Sequence, residues 1–71
     1  MEPFSAIFEQ HGSSWIGFVE ELPGANSQGY SLEEVRSNLR EAVRMVLDAN
    51  REIAERDLRG RTVIREQLVL A

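Results

Sequence analysis

The sequence predicts a small α+β domain in the order β-β-β-α-β, with a mainly antiparallel sheet and one long helix packed on one of its faces. Three observations carry that expectation. Apolar residues alternate with others at Phe4, Ala6 and Phe8, and an aromatic and β-branched run follows at Trp15 to Val19. A helix-start signature, Ser31-Leu32-Glu33-Glu34, then opens a long stretch with apolar residues at helical spacing. A second alternating run, Thr62 to Leu70, follows Gly60.

The first strand is expected from Phe4 to Glu9, with Phe4, Ala6 and Phe8 on one side and Ser5, Ile7 and Glu9 on the other, which is the two-residue period of a pleated strand. Gln10-His11-Gly12-Ser13-Ser14 reads as a hairpin loop, since glycine and serine supply turn conformations. The second strand covers Trp15 to Val19, and Pro23-Gly24 marks a turn after it. A short third strand of poor propensity is placed at Ala25 to Gln28.

Ser31 and Glu34 fit a capping box, in which the Glu34 amide donates to the Ser31 hydroxyl and the Ser31 amide donates to the Glu34 carboxylate. Glu33 and Glu34 also suit the positive end of the helix dipole. Leu32, Val35, Leu39, Val43, Val46 and Leu47 form one apolar stripe. The phase continues through Ile53 and Ala54, which takes the helix to about Arg56. In the last strand, Thr62 to Leu70, the residues Ile64, Glu66, Leu68 and Leu70 share a face opposite Val63, Arg65, Gln67 and Val69.

At 71 residues the chain has room for one domain, taken as residues 1–71. A domain of that size buries only roughly 60% of the surface of its unfolded chain and commonly needs a disulfide, a metal or a second subunit. The chain has no cysteine and a single histidine, His11, so no disulfide, zinc cluster or other cofactor is expected, and homo-oligomerisation is. The strand pattern agrees. Trp15, Gly17 and Val19 point one way and Ile16 and Phe18 the other, while Ile7, Val63 and Val69 add to the faces that one helix leaves bare. Burying each such side chain is worth about 1.5–3 kcal/mol, so a partner chain is expected to cover them.

The formal net charge is −4 and all eight basic residues are arginines. That balance disfavours direct nucleic-acid binding, which needs cations for phosphates, and suits a basic protein partner. No signal peptide and no apolar run of membrane-spanning length is visible, so a cytoplasmic protein without membrane contact is expected.

Catalytic constellations are thin. Each candidate serine needs a histidine base, and His11 is read as an exposed loop residue. Glu9, Glu20 and Glu21 lie at strand ends where they could approach one another and hold magnesium, but a solvated strand end is favoured. Arg36, Arg40 and Arg44 share a helix flank with acids interleaved, which reads as a solvated face. Gly17 inside a strand marks close packing. Trp15, Phe18 and Tyr30 are assigned to core or subunit-interface packing rather than to base stacking.

One ordered set of residues goes further. Trp15-Ile16-Gly17-Phe18-Val19-Glu20-Glu21-Leu22-Pro23-Gly24 is followed by Ser27-Gln28-Gly29-Tyr30-Ser31-Leu32-Glu33-Glu34-Val35. This pattern of aromatic strand, Leu-Pro-Gly turn, short strand and Gly-x-Ser-x-Glu-Glu helix start resembles the HicB-like antitoxin family. Ala42-Val43, Leu47, Asn50-Arg51-Glu52 and the closing Ile64-Arg65-Glu66-Gln67-Leu68 are similar to later parts of that family.

The resemblance implies a partial RNase H-like fold without its catalysis. It also implies a toxin-antitoxin role, in which the chain occludes a small basic HicA-type ribonuclease toxin. Family members often bind their operator through a separate ribbon-helix-helix or helix-turn-helix segment. The sequence ends soon after the last expected strand, so no separate DNA-binding domain is expected. Partner or self-association contacts are assigned to Trp15, Phe18, Glu20, Glu21 and Tyr30. The alternatives are an orphan homo-oligomeric structural or regulatory protein and, behind it, a minimal metal-dependent nuclease using Glu9, Glu20 and Glu21.

Overall fold

Alternating side chains and a two-residue turn build the first hairpin. The computed structural model describes residues 4–69. Strand β1 (Ala6–His11) pairs antiparallel with β2 (Ser14–Val19), which pairs antiparallel with β3 (Asn26–Gly29), and helix α1 (Leu32–Leu58) follows. The sheet order is β1-β2-β3, so each strand neighbours the next one in the chain.

His11 stands directly across from Ser14 and leaves only Gly12 and Ser13 in the loop. Gly12 has φ +61°, and Ser13 has no positive φ. That is the pattern of a type II′ turn, whose twist matches the strands it joins. The five-residue loop expected from Gln10 to Ser14 is therefore shorter, because the tight turn draws Gln10, His11 and Ser14 into the ladder. β1 correspondingly begins at Ala6 rather than Phe4 and ends at His11 rather than Glu9.

The helix begins where expected. Ser31 is extended, and its Oγ accepts a 3.1 Å hydrogen bond from the Glu34 amide. The reciprocal half of the capping box differs: Glu34 Oε2 accepts from the Tyr30 amide at 3.3 Å, one residue before the cap. Glu33 and Glu34 occupy the first turn and Arg56 the last, each at the end of the dipole that favours its charge. The helix runs two residues past Arg56, until Gly60 (φ +76°) breaks the pattern.

The core lies between α1 and the face of the sheet that carries Phe8, Gly17, Val19 and Ser27. Val35 is fully buried, at 0% exposure, with Leu39, Val19 and Ala25 nearly so. Phe8, Leu22, Val43 and Val46 pack around them. Phe8, Gly17 and Ser27 stand in one row across the three strands. A methyl group at Gly17 would lie 2.7 Å from Val35 Cγ1 and 3.0 Å from the Phe8 ring. The glycine is thus the gap into which Val35 fits, with Phe8, rather than Trp15, as the aromatic beside it. Ser27 Oγ donates to the Val35 carbonyl at 3.0 Å, adding a polar tie at the same point.

The loop from Glu20 to Ala25 folds back on itself: the Leu22 amide donates to Val19 O at 3.3 Å and the Ala25 amide to Leu22 O at 3.1 Å. This brings Leu22 under the helix. Beyond Val46 the helix leaves the sheet, and residues 47–57 are all exposed. No described helix is long and apolar enough to cross a membrane.

The last strand is a correction. Residues 61–69 form no strand and every one of them is exposed; Leu70 lies outside the described residues. Twelve residues of helix follow Val46, ending at Leu58, which at 1.5 Å each carries the chain about 18 Å past its own sheet. There the segment runs beside the helix, with Arg65 Nη1 3.9 Å from Glu55 Oε1. Alternating side chains suit a strand, but a strand also needs a neighbour to bond with. The observed order among the described residues is β-β-β-α.

Gly17→Ala is expected to cost about 1–3 kcal/mol of stability through overpacking, measured by urea denaturation. Adding Val35→Ala removes the clashing methyl, so the double variant should be destabilised by clearly less than the sum of the two single changes.

Candidate functional site

Strand periodicity sends every second side chain to the face away from α1. The register places Ile7, Phe18 and Asn26 in one row there, with Glu9, Ile16 and Gln28 in the next and His11 opposite Ser14 at the hairpin end. No element of the described residues covers this face. Ile7 and Ile16 are half-buried by their neighbours, and Phe18 stands out at 39% exposure. Ile16, Phe18, Asn26 and Gln28 line a shallow depression across it.

A second depression at the helix-start end joins Ile16 and Gln28 to Tyr30 and Glu34. Tyr30 is 79% exposed and so extends the aromatic surface beyond the sheet. The site is thus an apolar strip, Ile7-Phe18-Ile16, edged by amides and ending at a phenol. It can bind a surface.

The five residues assigned from sequence to partner or self-association divide between regions. Phe18 and Tyr30 belong to the open face and its end. Trp15 is half-buried and lies in the row of Gln10 and Gly29, on the helix side of the sheet. Glu20 and Glu21 lie past the end of β2. The Glu20 amide donates to Ser5 O at 3.1 Å, and Glu21 Oε1 accepts from the Ser5 amide at 2.8 Å. Together they clasp the chain just before β1 to the end of β2.

The three acids weighed as a metal site do not converge. Glu9 stands opposite Ile16 and touches His11 Nε2, while Glu20 and Glu21 face Ser5 at the other end of the hairpin. No group of three or more metal-ligating side chains is found among the described residues. His11 lies across from Ser14, yet no hydrogen bond among the described residues joins them into a base and nucleophile.

Sequence reasoning missed a trough on the other side of the sheet. Arg36 lies over the Phe8 ring, 5.7 Å from its centroid, rather than standing free in solvent. Arg40 lines the same trough. The signal was available in outline, because Arg36 and Arg40 sit one turn apart beside the apolar stripe.

The Ser5 amide, and secondly the Ser5 side chain, hold the Glu21 carboxyl below its ordinary value of 4.5. A carboxylate with a depressed folded-state value stabilises the fold above the unfolded value, and that contribution is lost as pH falls through the folded one. Glu21→Gln should therefore be less stable than the parent at neutral pH. The gap should close as pH drops below about 4, as followed by thermal melts across the acid range.

Comparison with known proteins finds similarity to a UPF0150 protein from Thermotoga maritima, 43% identical over 47 residues. The match covers 63% of this chain and 63% of that relative, so it spans less than two thirds of the relative's length. No family profile and no solved structure matches the chain.

Proposed function

We propose that this chain is a non-enzymatic, antitoxin-like protein-binding module that neutralises a small HicA-type ribonuclease in the cytoplasm by covering it. The observation that carries the reading is the bare apolar strip Ile7-Phe18-Ile16 on a sheet whose other face is packed by α1. An exposed apolar patch bordered by polar side chains is the usual form of a protein-binding surface. The net charge of −4 suits a basic ribonuclease, since opposite charge speeds encounter and rejects wrong partners.

Two further points support the same reading. The ordered motif from Trp15 to Val35 resembles HicB-like antitoxins, and UPF0150, the description of the 43%-identical relative, is a HicB-like family. Self-association belongs to the proposal as well. Ile64 and Leu68 are each 87% exposed and Ile53 is 54% exposed, which one copy leaves without cover.

The test is co-expression with the neighbouring gene when that gene encodes a small basic protein. Rescue of growth and co-purification at fixed stoichiometry are the expected results; a toxic neighbour that is neither bound nor silenced overturns the reading. Phe18→Asp should leave the circular dichroism spectrum unchanged and weaken the complex roughly thirtyfold or more, the scale of an interface hot spot, by calorimetric titration.

A further inference from the structure

The described structure contains an unpaired strand edge and an unpaired strand-like segment. β1 lies at one margin of the sheet, so its backbone groups on the side away from β2 have no sheet partner. Such an edge is a template for pairing with another chain. Beside it, α1 lies chiefly over β2 and β3 and leaves a trough of about 240 Å³ between helix and β1. Ala6, Phe8, Leu39 and Val43 make its apolar lining, and Arg36 and Arg40 supply its charge.

Residues 62–69 complement this edge on both faces. In an extended chain Ile64, Glu66 and Leu68 project to one side, and Val63, Arg65, Gln67 and Val69 to the other. With the first set turned into the trough, Ile64 and Leu68 meet apolar lining and Glu66 falls between them, toward Arg36 and Arg40. The second set then continues the open face, where Arg65 extends the row that holds Glu9 and the residue two positions away, Val63 or Gln67 according to strand direction, extends that of Ile7. Opposite charges across neighbouring strands stabilise the pairing, and like charges oppose it.

We propose that residues 62–69 of one copy add as a strand to the β1 edge of a second copy, and reciprocally, closing a two-fold dimer. This deepens the self-association part of the reading above and rests on it. The occupant is a second copy because of the helix overhang. The chain leaves α1 about 18 Å beyond the sheet. A return to its own β1 spends five or six residues at about 3.3 Å each, which uses up Ile64 and Arg65 on the way. A second copy receives the whole segment. The same exchange brings the two overhangs together, giving Leu47 and Ile53, both exposed in one copy, an apolar neighbour.

The test is sedimentation equilibrium in the micromolar range with the full chain and two charge-reversed forms, Glu66→Arg and Arg36→Glu/Arg40→Glu. The parent is expected to be a dimer, and each reversed chain, folded by circular dichroism, to dimerise at least about tenfold more weakly. Mixing the two should restore a heterodimer, because the segment of each chain then meets a trough of opposite charge on the other. Recovery on mixing also shows that neither form is merely unfolded. A dimer indifferent to both reversals overturns the proposed contact while leaving self-association standing. Reversed chains that stay monomeric on mixing overturn the exchange in favour of a return to the chain's own edge. A parent that is monomeric throughout overturns both the exchange and the self-association reading, but not the binding of a ribonuclease.

Discussion

Everything else in the domain depends on how closely α1 approaches the sheet at Gly17. Val35, in the first turn of the helix, fills the space where any other residue of β2 would place a side chain. Phe8 closes that space from β1, and the Ser27 hydroxyl fixes the helix backbone from β3. One row of three residues, Phe8-Gly17-Ser27, therefore meets the helix around one residue, Val35. Interiors packed at crystal-like density transmit a misfit of a single methyl group. The position of the helix, and with it the width of the trough beside β1, follows from that contact.

The two faces of the sheet consequently have different tasks. The inner face is spent on a small core of Val19, Ala25, Val35 and Leu39 with half-buried residues around it. The outer face keeps Phe18 and its isoleucine neighbours in contact with solvent. In a chain this short the helix covers two strands well and the third only at Phe8. Unsatisfied surface is thus a direct result of having one helix for three strands. The proposed recognition of another protein would use that surface.

Much of this architecture was legible in the residues. The Ser31 cap and the stripe through Val35 and Leu39 located the helix, because caps and periodicity are local properties. The alternation of Trp15 to Val19 separated the faces correctly, and Gly17 announced close packing. The poor propensity of Asn26–Gly29 was overridden by pairing with β2, which is a tertiary effect that the local signals do not report. Two features escaped for the same reason. The pattern of residues 62–69 encodes a strand's shape but not the distance to a partner, which the length of the helix sets. The loop around Gly12 was read from composition, whereas its length comes from the register of the ladder. At the candidate site, the exposure of Phe18 followed from alternation. The clasp between Glu21 and Ser5 did not, since it joins residues sixteen apart.

The simple meander also bears on how the domain forms. β1 meets β2 across a two-residue turn, β3 follows after one short loop, and α1 starts three residues after β3 ends. Most native neighbours are therefore close in sequence. Chains of low contact order lose little entropy in finding such neighbours and fold quickly, while contacts between copies wait on diffusion. An individual copy should reach its hairpin and helix well before any assembly step, so the rate of assembly would vary with concentration while the rate of folding would not.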